Sequence, residues 1–125
     1  MVTRPSHLRI QNPPGMSKSR FFGIEDEASM ESLVPRPGTS SRSAQFGEVE
    51  FRVNAFERDA LVPPHEHDWQ SLIFVLNGEV AVSLDGDERR LRPGGGAYVQ
   101  AGTRHGLRAI GTEARVVDLW WPIAQ

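Results

Sequence analysis

The feature that most constrains the fold is a series of short apolar segments, separated by turn-forming residues, that fills residues 46–121. Near its start, Val49, Phe51 and Val53 alternate with polar and charged residues, which is the periodicity of a strand with one buried face. The spacers between the segments are too short for the helices of an α/β fold. The sequence therefore predicts an all-β fold, a small antiparallel β-barrel or double-sheet jelly roll whose sheet begins at Phe46.

Two glycine-containing dipeptides in this region predict hairpins. Asn77-Gly78 follows one apolar run, and Asp85-Gly86 follows the next. Both dipeptides accept the positive φ angles that a two-residue hairpin turn requires. We therefore expect each of them to join two strands that are neighbours in the same sheet.

Residues 1–45 differ from the rest of the chain. They are rich in proline, glycine and serine, and their apolar residues follow no clear period. We expect an irregular, partly disordered arm here, in which residues 25–33 are the candidate for a short helix. With 125 residues the chain is long enough for one domain. The predicted organisation is an arm over residues 1–45, a barrel over residues 46–121 and a tail over residues 122–125.

Charge and cysteine content exclude several kinds of function. The net charge is −2, and residues 46–125 carry eight arginines against twelve acidic residues. Nucleic-acid binding needs a basic face, so we expect no direct nucleic-acid partner. The chain has no cysteine, which excludes disulfides, thiolate metal sites and a cysteine nucleophile. Because no segment approaches the roughly twenty apolar residues of a membrane span, we expect a cytoplasmic protein with no membrane partner.

Three of the four histidines form a pattern typical of a metal site. His65 and His67 form an H-x-H pair, which on a strand places two imidazoles side by side on one face. His105, arriving from another strand, would complete a set of three nitrogen ligands with open positions for water or substrate. Such a set suits a divalent transition metal, with Zn, Fe, Mn and Ni as candidates. The alternative is that no metal binds and that the histidines are ordinary solvated or half-buried rings.

The same residues resemble the two motifs of the cupin superfamily. His65, His67 and Gly78 fit the first motif, G-x5-H-x-H-x3-4-E-x6-G, and Gly102 and His105 fit the second, G-x5-P-x-G-x2-H-x3-N. The resemblance covers roughly residues 46–121. It implies a jelly roll in which the histidines hold the metal.

The sequence departs from the family motif at the glutamate, which falls on Ser71. Gln70 is a further candidate ligand through its carbonyl, although its strand parity relative to His67 is wrong without a bulge. Trp69 and Ser71 share the parity of His67 and are candidates to line a pocket for a small-molecule ligand. Arg104 is a third pocket candidate, because a guanidinium matches the two oxygens of a carboxylate.

The run of residues 65–78 looks most like the N-terminal sensing and dimerisation barrel of AraC-type transcription regulators. The resemblance implies a sensor-like barrel that binds a small molecule. Such regulators carry helix-turn-helix units after the barrel, whereas this sequence ends at Gln125 directly after the last predicted strand, so we expect it to lack its own DNA-binding domain. The alternatives are a metal-dependent cupin enzyme, such as a non-haem oxygenase, isomerase or lyase, and a purely structural barrel whose histidines are idle.

Apolar residues on both faces of one strand predict a partner. In the run Leu72 to Leu76 every residue is apolar, so both faces of this strand need to be covered. One face belongs to the barrel interior, and a second copy of the chain would cover the other. We therefore expect a homodimer, with coverage by the N-terminal arm as the alternative.

Overall fold

The computed structural model describes residues 18–123, and these residues form ten strands without an α-helix. The strands are β1 (Glu31–Ser32), β2 (Thr39–Phe46), β3 (Val49–Phe56), β4 (Leu61–His65), β5 (Trp69–Asn77), β6 (Val80–Leu84), β7 (Asp87–Leu91), β8 (Gly96–Val99), β9 (His105–Ala109) and β10 (Ala114–Pro122). The predicted all-β class is confirmed.

The strands form two antiparallel sheets. The larger sheet has the order β1-β2-β3-β10-β5-β8, and the smaller sheet has the order β4-β9-β6-β7. After β3 the chain passes from one sheet to the other at every connection except the β6–β7 turn, so the two sheets close around a shared interior in the manner of a jelly roll. The core between them contains fully buried valines, namely Val75, Val80, Val82, Val99 and Val116.

The larger sheet begins earlier than Phe46, so that sequence prediction is wrong. Strand β2 pairs with β3 along its whole length, from Thr39 opposite Phe56 to Phe46 opposite Val49. Its buried side chains include Thr39 and Ser43. Apolar alternation therefore could not reveal β2, because polar residues occupy its inward face.

Residues 25–33 contain turns and β1 in place of the expected short helix. The backbone N–H groups of Ser29 and Met30 both donate to the Asp26 oxygen, which makes a single turn that does not propagate. Residues 1–17 and 124–125 lie outside the described residues. The division into arm, barrel and tail stays a prediction.

Of the two predicted hairpins, the one at Asp85-Gly86 is confirmed. It joins β6 to β7, and both residues have positive φ angles, 48° and 88°. The prediction of a hairpin at Asn77-Gly78 is wrong, because β5 and β6 are not paired with each other. Strand β5 pairs with β8 and β10, whereas β6 pairs with β7 and β9. Gly78 serves a crossing between sheets: its φ is 76°, and a Cβ there would lie 2.3 Å from the Glu113 backbone oxygen.

The outer face of the larger sheet is covered only in part by the described N-terminal residues. Phe22 packs against Phe46 and Phe51, with ring centroids 4.8 and 5.0 Å apart, and Met30 is buried nearby. Farther along the same face, three large apolar side chains are exposed to 37%, 41% and 49%, namely Leu72, Phe74 and Tyr98.

Candidate metal centre and cavity

The three histidines predicted as ligands come together in the structure. His65 is the last residue of β4, His105 is the first residue of β9, and the two lie opposite each other in the antiparallel pair. His67 follows β4, and its carbonyl oxygen accepts a hydrogen bond of 2.8 Å from the Gly102 N–H. The possible ligand atoms of the three side chains lie within 4.8 Å of one another. This spacing suits three ligands of one metal ion.

The hydrogen bonds of the three rings leave the correct nitrogen for a metal. The Nδ1 of His65, of His67 and of His105 lies at hydrogen-bond distance from a backbone carbonyl oxygen. Because a carbonyl oxygen only accepts, each Nδ1 carries the proton, and each Nε2 keeps its lone pair. The acceptors are the oxygens of Pro63, Trp69 and Thr103, at 2.9, 3.0 and 2.8 Å.

Burial makes the imidazoles of His67 and His105 poor bases. It lowers the pKa of His67 to about 4, with a further contribution from the neighbouring His105, and it also lowers the pKa of His105. Both rings are therefore neutral near pH 7, which is the form that binds a metal. Within the described part of the chain, this group contains three histidines and no carboxylate. The donor set fits a divalent transition metal with open coordination positions.

The other candidate residues lie in different places. Trp69 is buried, stacks on His67 at a centroid distance of 4.0 Å, and lines the cavity described below. Gln70 does not join the histidine group, because its Oε1 accepts a hydrogen bond of 2.7 Å from the Ala101 N–H. This placement agrees with the parity argument, since Gln70 alternates with Trp69 along β5.

Ser71 and Arg104 lie outside the cavity lining. Ser71 is buried in β5, where the longer side chains of Trp69 and Ile73 on either side of it form the wall. Arg104 precedes β9, and its backbone N–H donates to Asp85 Oδ1. Its alternation with His105 directs the two side chains to opposite faces of the strand.

The histidines line a cavity of about 480 Å³, a size suited to a small organic molecule. The smaller sheet and the residues beside it contribute Val62, Pro63, Pro64, His65, His67, His105, Gly106 and Leu107. The larger sheet contributes Arg52, Asn54, Phe56, Trp69, Ile73, Val116, Asp118 and Trp120. Arg36 completes the lining.

A charged group within this cavity was missed by the sequence interpretation. Asp118 on β10 lies opposite Arg52 on β3, and the Arg52 guanidinium lies 3.1 Å from the buried carboxylate of Glu50. The same guanidinium lies 3.9 Å from the ring centroid of Trp120, a cation–π contact. The sequence did contain a signal for this group: Asp118 is a charged residue in an otherwise apolar strand, and the alternation of the strand places it on the same face as Val116 and Trp120.

The Asp118 carboxyl group is poised to hold or release a proton. Burial raises its pKa to about 7, whereas a hydrogen bond from the Trp120 side chain and the charge of Arg52 act in the opposite direction. Its Oδ1 is shielded from solvent and has no hydrogen-bond partner among residues 18–123. At neutral pH the carboxyl is therefore divided between its two protonation states, as an acid–base group requires.

No helix among the described residues is long and apolar enough to cross a membrane.

A search of curated proteins found no match to this chain.

Comparison with solved structures shows what the chain is similar to. KdgF from Halomonas sp. is 26% identical with a TM-score of 0.73, over 86% of this chain and 96% of that one. An RmlC-like cupin from Shewanella frigidimarina is 22% identical with a TM-score of 0.73, over 87% and 96%. The polyketide cyclase RemF from Streptomyces resistomycificus is 18% identical with a TM-score of 0.66, over 81% and 80%. These similarities agree with the jelly-roll fold.

The family comparison covers most of the two sheets. Residues 48–122 match the model of the cupin domain. The resemblance to cupins drawn from the histidine motifs is therefore confirmed, and this chain belongs to the cupin family.

Proposed function

We propose that this cupin is a metal-dependent enzyme that moves a proton on a small organic substrate bound in the cavity. The observation that carries the proposal is that Asp118 lines the same cavity as the three histidines. A binding site that only holds a ligand has no need of a shielded acid–base group, which is costly to bury.

Five residues of the cavity lining have a role in this proposal. The Nε2 atoms of His65, His67 and His105 would hold the metal, which when bound supplies a Lewis acid that polarises a substrate oxygen. Asp118 takes a proton from the substrate as a carboxylate and returns it as a carboxylic acid, so the group is regenerated in each cycle. Trp120 donates a hydrogen bond to Asp118 and thereby orients it.

An acid–base carboxyl favours isomerase or lyase chemistry over oxygenation. Both isomerisation and elimination begin by removing a proton next to a polarised carbonyl or hydroxyl, and both end by delivering that proton to carbon or to a leaving group. Oxygenation has no equivalent need for a group with these properties.

The second candidate is the sensor-like binding module. The apolar part of the cavity wall, which includes Trp69, Ile73 and Val116, supports it, because such surfaces bind ligands without reacting with them. The likeness to AraC-type sensor barrels belongs to this alternative. In the sensor, a ligand would raise the melting temperature and undergo no change.

The two functions differ in hydrogen exchange. We would incubate metal-loaded protein with a panel of small ketones, hydroxy acids and keto acids in D2O and follow deuterium incorporation by NMR. The proposal predicts exchange at one carbon of at least one compound and its loss in Asp118→Asn. Asp87→Asn, a change at an exposed hairpin carboxylate, is the matched control. If compounds bind but none of them exchanges a proton, the proposed enzymatic function is refuted and the sensor-like binding module is favoured.

We also propose a homodimer through the outer face of the larger sheet. The exposed Leu72, Phe74 and Tyr98 support it, because a patch of large apolar side chains is seldom left in water. Leu61 on β4 of the smaller sheet is exposed to 58% and offers a control position away from this face.

A further inference from the structure

Arg36 lines the cavity from a part of the chain that the sequence assigned to an irregular arm. It opens a tight turn that ends at Thr39. The Arg36 N–H donates to the Thr39 oxygen at 3.1 Å, and the Thr39 N–H donates to the Arg36 oxygen at 2.9 Å. Pro37 restricts φ at the second position, and Gly38 has a φ of 71°, as a turn of this kind requires at the third. The turn therefore defines the backbone of Arg36.

The turn is also attached to the body of the barrel. The Glu57 N–H donates to the Gly38 oxygen at 2.8 Å. A Cβ at Gly38 would lie 3.1 Å from the Cβ of Ala60, so the turn lies in close contact with the segment between β3 and β4. The barrel itself thus fixes where Arg36 enters the cavity lining.

Arg36 is an exposed residue, and the part of the chain that the structure describes gives it no carboxylate partner. No ion pair joins it to an acidic residue within residues 18–123, whereas Arg52 lies 3.1 Å from Glu50. Burial and the positive charge of Arg36 lower the pKa of Arg52 to about 10, against the attraction of Asp118. Two guanidinium groups therefore repel each other across one cavity, and an anion bound there would relieve the repulsion.

We propose that Arg36 binds the carboxylate of a small organic acid and so determines the substrate class of the cavity. A guanidinium matches a carboxylate in geometry, with two parallel N–H donors facing two oxygens. A cavity of about 480 Å³ holds such an acid together with the rest of its carbon skeleton. This inference deepens the proposed function, and it rests on that proposal only in placing substrate and ligand in the same cavity.

The test compares acids with neutral molecules of the same shape. Acetate, benzoate and 3-phenylpropionate, each beside its primary amide, would be titrated into the protein as purified by calorimetry, with inorganic phosphate as a second type of anion. We expect at least one acid to bind more tightly than its amide. Arg36→Gln should weaken that acid roughly tenfold or more and leave the amide unchanged. Arg36→Lys, which keeps the charge but loses the planar fork, should recover part of the affinity.

Arg89→Gln is the matched control, because Arg89 is an exposed residue of β7 outside the cavity lining. Equal binding of acids and amides, no binding of either, or an unchanged affinity in Arg36→Gln would overturn the proposal. Binding of phosphate in place of every acid would overturn the carboxylate assignment.

The outcome is separable from that of the proposed enzyme. Asp118→Asn should still bind the acid through Arg36, because it removes the acid–base group and keeps the cation. If the wild-type protein binds the acid through Arg36 but exchanges no substrate proton, this inference is retained and the proposed enzymatic function is refuted.

Discussion

Replacing Asp118 by asparagine should stabilise the protein above neutral pH. Burial raises the folded-state pKa of this carboxyl from 3.8 to about 7. Between these two values the folded protein holds a proton that the unfolded chain has released, so stability falls as pH rises through this window. Asparagine cannot ionise and escapes this loss, while its amide keeps the size of the carboxyl.

The size of the pKa shift of Asp118 determines how much the free energy of unfolding changes with pH. A rise from 3.8 to about 7 corresponds to about 4 kcal/mol once pH is well above 7. About 3 kcal/mol of this should appear above about pH 5, where the unfolded carboxyl is already ionised. Asp118 is only half-buried as a residue, and the solvent that reaches it reduces the burial cost, so we expect a measured change of about 2 to 3 kcal/mol between about pH 5 and about pH 8.5.

Urea unfolding followed by tryptophan fluorescence measures this difference. Wild type and Asp118→Asn would be compared at each pH in the presence of EDTA, which removes metal binding from the comparison. The histidines and all other titrating groups are common to both proteins, so the difference in unfolding free energy isolates Asp118. Asp87→Asn makes the same change of side chain at an exposed position and is the matched control. A difference between wild type and Asp118→Asn that stays constant from about pH 5 to about pH 8.5 would refute the burial argument.

Three further predictions concern the metal, the sheet crossing and the dimer. Protein purified without a histidine tag should carry near-stoichiometric divalent metal by mass spectrometry, and His65→Ala/His67→Ala should lose it; equal metal in both would exclude the site. Gly78→Ala should lose about 2 to 4 kcal/mol in urea unfolding, because the new Cβ meets a backbone oxygen. Gly47→Ala, where φ is also positive but no atom lies within 4 Å of the new Cβ, should lose only about 1 kcal/mol, and equal losses would contradict the steric reason. Phe74→Glu should reduce a light-scattering mass of twice 13.9 kDa to a single chain mass; a monomeric wild type would disprove the dimer.

The histidine group was predictable from sequence because the information is local. The H-x-H spacing of His65 and His67 places both rings near each other in any extended segment, and one further histidine completes the set. The all-β class followed from turn spacing and apolar alternation for the same reason. These features depend on neighbouring residues and hold whatever the order of the strands.

The features that sequence missed depend on distant parts of the chain. Asp118 became an acid–base candidate only when β10 was placed beside β3 and against the cavity, since its raised pKa comes from burial. The inward face of strand β2 consists of polar residues, so apolar alternation does not reveal the strand. The Asn77-Gly78 dipeptide suits a hairpin and a crossing between sheets equally well, so local sequence does not distinguish the two. The sensor assignment, the homodimer and the cytoplasmic location stay predictions.

The carbonyl oxygens that hold the three imidazoles have a consequence for how this centre tolerates mutation. Every peptide unit offers the same acceptor, so the ring tautomers do not depend on which side chains occupy positions 69 and 103. Homologous chains can therefore change the side chains around the ligands, and with them the shape of the cavity, while the nitrogen atoms keep their orientation. Substrate preference in such a protein can diverge faster than the capacity to bind a metal.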